Sequence, residues 1–353
     1  MAGNPDAIVT TPATIKTAAE LPEQFRNLLV AKGVSLDTAL VPLKQGGNNQ
    51  VFRLKGGKGD YALKRYFQHP GDARDRFNTE RVFYTLLWNN GVRQIPEPCA
   101  WDAEFRVGLF SFVEGARLQA EEVNSRFVEQ ALEFVQKINA LRSSEAAKAV
   151  PTASEAYFSI PEQVESVDKR VQTLLQIDGK SSVDQMALAF AKDELLPVWQ
   201  KVKEKILQRV NQSPALAQPL EISQRCLSPS DFGYHNALLN SGRLQFMDFE
   251  YAGWDDPAKM VCDFFCQPQI SVSLEFWDQF NQSVAASLGM GDKLAQRTRL
   301  LFPMFQMKWC CIILNHFIKI GRARREFAGS AASDEAALAQ LEKARCLLRS
   351  IEI

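Results

Sequence analysis

The sequence lacks the features of a secreted, membrane-spanning or nucleic-acid-coating protein. Its 353 residues include 41 Lys plus Arg and 41 Asp plus Glu, so the formal net charge is zero and offers no basic field for a nucleic acid polymer. The most apolar stretch, from Trp309 to Leu314, is far shorter than the roughly 20 residues of a spanning helix. The first residues, MAGNPD, show no basic and apolar signal pattern. We therefore expect a cytoplasmic protein that binds neither membranes nor nucleic acid polymers.

Cysteine is scarce and has no framework spacing. Cys262 and Cys266 could share a helix face, but no second pair or nearby His completes a zinc site. Free cysteine is among the most buried residue types, so mostly buried thiols in a reducing compartment are expected. The seven cysteines are Cys99, Cys226, Cys262, Cys266, Cys310, Cys311 and Cys346.

The first third of the chain has the pattern of a small strand-rich lobe. Residues 1–20 are small and polar and are expected to form a loose arm. After a helix over Leu21 to Lys32, short apolar runs between 41 and 66 alternate with glycine-rich turns, which indicates antiparallel strands. A helix over Asp72 to Asn90 and two further strands complete a predicted lobe of residues 21–115.

The rest of the chain, residues 116–353, is mainly helical in pattern. A strand predicted over Ile222 to Leu227 and a hairpin around Asn240-Ser241-Gly242 interrupt the helices, and residues 257–351 return to helical spacing. The sequence thus predicts an α+β protein with two lobes, a small antiparallel sheet followed by a larger helical part.

Two features of the predicted sheet suit phosphate binding. The turn Gly46-Gly47-Asn48-Asn49 lies between two strands, where backbone amides can approach a phosphate because glycine has no Cβ. Lys64 shares a strand face with Ala62, and Glu80 follows sixteen residues later on a helix, where its carboxylate can hold the lysine ready for a phosphate. The alternatives are an ordinary tight turn and a solvated strand lysine.

Two features of the helical lobe suit proton and metal chemistry. Asp231 precedes Asn236 by five residues just after a predicted strand, so the loop can present a base to a hydroxyl and an amide oxygen to a metal. Asp248 ends the second strand of the hairpin, where an unpaired buried carboxylate is costly and a shared divalent cation would explain it. The alternative is that these residues cap turns.

Together these features occur in the order required for phosphoryl transfer from ATP on a protein-kinase-like fold. On these residues the chain resembles the aminoglycoside phosphotransferase and choline kinase superfamily over about residues 40–320. Asp231 and Asn236 match the pattern H-G-D-x-H-x-x-N, and Asp248 matches the I-D-F-E strand end. Asp255, Asp256, Pro257 and Asp263 resemble the G-D-P…D segment that follows, and Phe110 to Gly115 resemble the segment that holds adenine.

Two departures from that family pattern affect the catalytic loop. Pro229-Ser230 replaces His-Gly before Asp231. Gly233 stands where many relatives have His, while His235 sits directly before Asn236. The reaction type is little affected, but the loop must be braced in another way, and a structural role for His235 is favoured over a role in proton transfer.

The resemblance implies a mechanism that uses ATP and Mg²⁺. Residues 21–115 would bind the nucleotide, and residues 116–353 would carry the catalytic loop and the acceptor. Asp231 would orient the acceptor hydroxyl and take its proton, while Asn236 and Asp248 would hold Mg²⁺. The remaining nucleotide ligands implied are Gly46, Gly47, Asn48, Asn49, Lys64, Glu80, Phe112, Val113 and Glu114.

The expected acceptor is a small molecule phosphorylated on a hydroxyl: a sugar, an amino sugar or aminoglycoside, or an amino alcohol. Acidic side chains near the site suggest a cationic or polyhydroxylated compound, although acids there also satisfy Mg²⁺ and loop amides. Two rivals are a catalytically silent kinase-like protein that binds nucleotide or a partner, and a protein kinase. The second is disfavoured because no long activation loop follows Asp248. The candidate acceptor residues are Tyr234, His235, Glu250, Trp254, Asp255 and Trp309.

Overall fold

A five-stranded antiparallel sheet forms the centre of the first lobe. The structure is a computed structural model that describes residues 15–43, 49–70, 72–328 and 333–353. The strands pair in the order β1-β2-β3-β5-β4, and on β3 Lys64 lies opposite Val51 of β2 and Gly108 of β5. The strands are β1 (Val41–Leu43), β2 (Gln50–Leu54), β3 (Tyr61–Arg65), β4 (Pro98–Asp102) and β5 (Val107–Ser111).

Two helices flank this sheet, α1 (Glu23–Ala31) and α2 (Arg76–Asn89). The predicted start of α2 at Asp72 was four residues early. Asp75 caps the helix by accepting a hydrogen bond from the Asn78 amide at 3.3 Å, whereas Asp72 binds the Arg74 side chain instead.

The loose arm predicted over residues 1–20 is wrong for its last part. Ala18–Glu20 form a short 3-10 turn, and the Ala18 and Ala19 amides donate to the carbonyls of Thr38 and Leu36 at 2.9 Å. The buried Ala18 packs with Phe25 and other apolar residues beneath the sheet. Small side chains, which suggested disorder, here permit close backbone approach.

The second lobe is built from nine described helices around two short strand pairs. β6 pairs with β9 and β7 pairs with β8, both antiparallel. The helices are α3 (Ser125–Ala140), α4 (Ile160–Leu174), α5 (Ser182–Phe190), α6 (Leu196–Gln212), α7 (Pro257–Cys266), α8 (Trp277–Leu288), α9 (Asp292–Ile313), α10 (Lys319–Phe327) and α11 (Asp334–Arg349). The strands are β6 (Cys226–Ser228), β7 (Ala237–Asn240), β8 (Arg243–Phe246) and β9 (Gly253–Asp255).

The strand predicted over Ile222 to Leu227 is mostly wrong. Ile222–Gln224 form a 3-10 turn, and β6 begins only at Cys226. Strand β9 could not be predicted, because three residues carry no periodicity and the strand exists through its pairing with β6.

Aromatic packing joins the two lobes behind the site. The Phe249 ring lies 4.9 Å from Tyr84 of α2 and 6.0 Å from Phe134 of α3, between ring centroids. Phe134 also stacks on Phe246 of β8 at 4.4 Å. Since Phe249 directly follows Asp248, burial of its ring between the lobes fixes where the Asp248 carboxylate emerges.

Two negative findings hold for the described residues. All seven cysteines are free, and five of them are buried. No single described helix has both the length and the apolar character needed to cross a membrane, although α9 with its following turn and α10 together meet those criteria at a 69° bend.

Gly253 supports a first prediction, on stability. Its Cα faces the backbone of the chain before α4, and an added Cβ would lie 2.2 Å from the Pro151 carbonyl oxygen and 2.6 Å from the Ala153 nitrogen. Backbone atoms cannot rotate away, so Gly253→Ala is expected to lower the free energy of unfolding by about 3 kcal/mol in urea denaturation. In the control Gly57→Ala the nearest atom would lie at 3.6 Å, and equal stability losses in both variants would contradict the prediction.

Candidate active site

Two cavities of similar size meet at Asp231. The first, about 430 Å³, lies between the sheet and the ends of β6 and β8; we call it the sheet cavity. The second, about 440 Å³, lies among the helices of the second lobe; we call it the helical cavity. Asp231, His235 and Gln269 line both. These three residues therefore form a wall that both cavities share, and the Asp231 side chain belongs to that wall.

The sheet cavity contains the lysine predicted to contact phosphates. Lys64 lines it together with Ala62, as the alternation along β3 predicts. The Lys64 Nζ lies 2.6 Å from Glu80 Oε2 and 2.5 Å from Asp248 Oδ1. The ammonium thus joins a helix of the first lobe to a strand end of the second.

Glu80 ties these groups to the backbone. Its second oxygen accepts a hydrogen bond from the Phe249 amide at 3.0 Å. Burial raises the pKa of Glu80 to about 7, although the Lys64 ammonium opposes this shift. Burial would lower the pKa of Lys64, but the carboxylates of Asp248 and Glu80 outweigh it and raise that pKa. The lysine therefore stays charged and available to an anion.

The backbone is strained at both predicted catalytic segments. Ser230, directly before Asp231, and Asp248 each have φ 67°, a left-handed conformation that costs free energy in residues other than glycine. Hydrogen bonds hold both segments: the Met247 amide donates to the Asn236 carbonyl at 2.9 Å, and Lys259 Nζ donates to Ser230 Oγ at 2.9 Å. Strain maintained by such contacts is typical of functional sites.

His235 braces the Asp231 loop. Its Nε2 lies 3.1 Å from Asp231 Oδ1, and the Asn236 side-chain amide donates to the Asp231 carbonyl at 2.9 Å. An added Cβ at Gly233 would lie 2.7 Å from the His235 Nδ1, so glycine at that position leaves room for the ring. The two departures from the family pattern, Gly233 and His235, are thus one rearrangement in which the histidine reaches the aspartate from further along the loop.

These neighbours keep the Asp231 carboxylate ionised. Burial would raise its pKa, but the His235 ring and the hydrogen bonds from His235 and Asn236 outweigh burial and lower the pKa below its usual range. An ionised carboxylate on the wall between the two cavities can accept a hydrogen bond from a hydroxyl group.

Asn236 and Asp248 fit a divalent cation. Because the Asn236 Nδ2 is turned to Asp231, its amide oxygen is turned away from that residue, and both Asn236 and Asp248 line the sheet cavity. Oxygen ligands of this kind suit Mg²⁺, which usually takes one or two protein carboxylates and completes its shell with phosphates and water. Among the described residues no three His, Cys, Asp or Glu side chains form a metal cluster.

The remaining predicted nucleotide ligands are only partly at the cavity. Phe112 and Val113 line the sheet cavity, whereas the exposed Glu114 pairs with Arg53. Asn49 also lines it, and its side chain accepts from the Phe67 amide at 3.0 Å. Gly46, Gly47 and Asn48 lie outside the described residues.

Most of the predicted acceptor residues do not line either cavity. Only His235 and Trp309 line the helical cavity, and the Trp309 Nε1 donates to Asp263 at 2.9 Å. Tyr234 is fully buried against Phe264, and the Trp254 Nε1 donates to a backbone carbonyl at 3.1 Å.

The acidic side chains expected to attract a cationic acceptor are occupied elsewhere. Asp255 is fully buried and lies 2.6 Å from Lys259 Nζ. Asp256 caps α7 and binds Arg297 at 2.6 Å. Glu250, 1% exposed, lies 3.6 Å from the Arg76 Nε and accepts a hydrogen bond from Asn49. These partners neutralise the carboxylates, so the expected negative acceptor site is wrong.

The sequence interpretation missed the basic residues of the helical cavity. The run Arg322 to Arg325 was a local signal that passed unnoticed, whereas the others come from separate elements that only the fold assembles. The basic residues that line the cavity are Arg74, Arg170, Lys259, Lys308, Arg324, Arg325 and Lys343.

An ion pair between the lobes, facing an aspartate loop across a cavity, defines a phosphotransferase of the kinase-like class. A model of the phosphotransferase enzyme family matches residues 39–295, and the chain belongs to that family. The family and the enzyme class predicted from the sequence are thereby confirmed. No curated protein matches the chain in sequence.

Solved structures confirm the predicted two-lobed α+β fold. An AMP-bound spectinomycin phosphotransferase has a TM-score of 0.57 at 12% identity, with 96% of this chain and 100% of that chain covered. A choline kinase from Cryptosporidium parvum Iowa II has a TM-score of 0.55 at 10% identity, with 94% of each chain covered. An amicoumacin kinase in complex with AMP-PNP and Ca²⁺ has a TM-score of 0.55 at 12% identity, also with 94% of each chain covered. At such identities the likeness concerns the fold alone.

Proposed function

We propose that the protein transfers the γ-phosphate of ATP to a hydroxyl group of a small molecule bound in the helical cavity. The observation that carries this proposal is the position of Asp231 on the wall shared by the two cavities. A donor on one side and an acceptor on the other would meet at its carboxylate.

The sheet cavity suits the nucleotide. The apolar side chains of Ala62, Phe110 and Val113 line it together with Lys64, so a base can lie against apolar groups while its phosphates reach the ammonium. The ADP, AMP and AMP-PNP complexes of the spectinomycin and amicoumacin enzymes support a nucleotide as donor. Adenine would contact the chain at residues 112–114, and Lys64 would contact the α- and β-phosphates.

Asn236 and Asp248 would hold Mg²⁺. When bound, the cation neutralises charge on the phosphates and helps to align them. Lys64 already contacts Asp248 at 2.5 Å, so the lysine fixes that carboxylate from the sheet side. The pairing of Lys64 with Glu80 keeps the ammonium in place for the phosphates.

Asp231 would orient the acceptor hydroxyl and take its proton late in the transfer. Its lowered pKa makes it a weak base, so alignment of the hydroxyl with the phosphorus contributes more than proton abstraction. His235 would act through Asp231 and is a positioning residue.

This role of His235 gives a prediction for the pH dependence. Asp231 is active when ionised, so activity falls as the pH decreases through its pKa. Replacing His235 with Gln removes a contribution that lowers this pKa and leaves the effect of burial, so the acidic limb of kcat/KM should move to higher pH. The control is His69→Gln, since His69 stacks on Phe67 and lines neither cavity. If the acidic limb of kcat/KM does not move in the His235 variant, the lowered pKa of Asp231 has another cause.

Among the acceptors expected from the sequence, amino sugars and amino alcohols lose their main support because Glu250 and Asp255 are buried and partnered. Polyhydroxylated compounds remain consistent with a polar cavity of about 440 Å³.

The proposal is tested by turnover of Mg-ATP with sugars, aminoglycosides, amino alcohols and hydroxy acids. Acceptor-dependent ADP release, with one phosphomonoester per ADP detected by ³¹P NMR, is the expected result. ATP binding without phosphorylation of any acceptor would instead favour the catalytically silent alternative.

A further inference from the structure

Cations outnumber acids on the walls of the helical cavity. Besides Asp231, the acids that line it are Glu155 and Asp263. Seven Lys or Arg side chains also line it: Arg74, Arg170, Lys259, Lys308, Arg324, Arg325 and Lys343. What such a cavity attracts depends on which of these cations already have a carboxylate partner.

Four of the seven cations form ion pairs, and a fifth, Arg324, donates to the Ile320 carbonyl at 3.3 Å. Arg74 and Lys259 each bind an aspartate beyond the cavity wall, Asp72 at 2.7 Å and Asp255 at 2.6 Å. The other two bind the acids that line the cavity. Arg170 pairs with Glu155, and Lys308 lies 2.7 Å from Asp263. Within each of these four pairs the charges cancel, so the pairs add little net charge to the cavity.

The excess charge comes from α10 and α11. Among the described residues, no carboxylate lies within 4 Å of the Arg325 guanidinium or the Lys343 ammonium. Arg325 donates to the His316 carbonyl at 2.7 Å, but its buried Nε has no hydrogen-bond partner in the described part of the chain. Both side chains line the cavity that Asp231 also lines.

The electrostatic setting agrees with this geometry. Burial, together with the neighbouring Arg324 and Arg322, lowers the pKa of Arg325 to about 10. Burial also lowers the pKa of Lys343. Both cations have thus lost part of their hydration, and no described carboxylate offsets that cost. A bound anion would offset it.

We infer that the acceptor carries an anionic group, a carboxylate or a phosphate, and that Arg325 and Lys343 bind this group while the acceptor hydroxyl faces Asp231. The inference rests on the proposed function, since it names the class of compound phosphorylated at that site. A guanidinium and an ammonium that line one cavity suit either anion, because arginine can bind both in a bidentate manner. A cationic acceptor would bring a third positive charge to the same wall.

Direct binding tests the charge preference. The ligands form two matched series, each with a neutral, an aminated, a carboxylate and a phosphate member. The first series is glucose, glucosamine, gluconate and glucose 6-phosphate. The second is glycerol, serinol, glycerate and glycerol 3-phosphate. Calorimetric titrations are made with Mg-ADP present, so that anions do not simply enter the sheet cavity. At least one anionic ligand should bind about tenfold or more tightly than its neutral counterpart, and the carboxylate and phosphate arms show which anion is preferred. The inference is overturned if none of the anionic ligands binds more tightly than its neutral counterpart.

Matched variants locate the effect. The double variant Arg325→Gln/Lys343→Gln should lose the anionic preference, whereas Lys319→Gln/Arg349→Gln removes the same charge from exposed positions of α10 and α11 outside the cavity and should keep it. Arg325→Lys/Lys343→Arg should retain much of the preference, which shows that a loss in the Gln variant is not misfolding. Equal losses in the Gln variant and its control would overturn the assignment to these residues.

Turnover separates this inference from the proposed function. Asp231→Asn should keep the anionic preference in binding and lose transfer. If the wild-type protein binds the anionic ligands but phosphorylates no compound, the proposed function fails and the anion site stands. If it phosphorylates neutral or aminated compounds equally well before and after the Arg325→Gln/Lys343→Gln change, the inference fails and the proposed function stands.

Discussion

Replacing Asp231 with Asn is expected to lower kcat by about 10²–10⁴-fold while leaving the affinity for Mg-ATP essentially unchanged. The amide keeps the size of the side chain but loses the charge that accepts the hydrogen bond of the acceptor hydroxyl. Nucleotide affinity should persist because Lys64, Glu80 and Asp248 are untouched, and these residues form the ionic contacts of the sheet cavity. Quenched assays of phosphomonoester formation measure kcat, and calorimetric titration measures the affinity for Mg-ATP.

The matched control for this change is Asp278→Asn, which removes an exposed carboxylate that is paired with the exposed Arg299. Its kcat should equal that of the unaltered protein. If the Asp231 variant releases ADP in an acceptor-dependent manner at the rate of the control, Asp231 takes no part in the transfer.

Replacing Asp248 with Asn is expected to raise the Mg²⁺ concentration at half-maximal rate by at least about tenfold, since loss of groups around a metal typically costs 10–100-fold in metal affinity. A neutral amide is a weaker ligand for a hard dication than a carboxylate. Titration of turnover with Mg²⁺ at fixed ATP measures the change.

Two further readouts separate loss of a ligand from general damage at Asp248. Lys64 keeps its contact with Glu80 at 2.6 Å, so the thermal unfolding midpoint should change little. The Asp248 carboxylate also contributes to the raised pKa of Glu80, and its removal relieves that repulsion. An unchanged Mg²⁺ requirement together with a large loss of stability would make Asp248 a structural residue only.

The ion pair of the first lobe could be predicted from sequence because its geometry is local. Alternation along a strand placed Lys64 beside Ala62, and the next helix is the nearest element that can deliver a carboxylate such as Glu80. The Asp231 loop and Asp248 could likewise be placed near strand ends, since an apolar run precedes each of them, although β6 is shorter and later than predicted.

The charge of the acceptor cavity could not be predicted from sequence in the same way. Glu250 and Asp256 are paired with Arg76 and Arg297, residues far along the chain, and nothing near them in sequence indicates those partners. Asp255 was the exception, because Lys259 stands four residues later on the first turn of α7 and that spacing indicates a pair.

The basic wall depends on packing between elements. Arg325 and Lys343 belong to α10 and α11, and their approach to one cavity follows from how those helices pack on the lobe. Counting charges along the chain gave zero, yet Asp255 and Asp256 are fully buried with their partners, whereas Arg325 and Lys343 line the cavity and have no described carboxylate partner. The distribution of partners, more than the total charge, decides which acceptor the site favours.

In the proposed reaction, donor and acceptor occupy different cavities and meet at Asp231. The decisive experiment is an experimental structure with a non-hydrolysable ATP analogue, Mg²⁺ and an anionic hydroxyl compound. We expect phosphates between Lys64 and Asp248, and an acceptor hydroxyl about 2.6–3.2 Å from an Asp231 oxygen. Nucleotide phosphates bound to Arg325 and Lys343 in the helical cavity would contradict it.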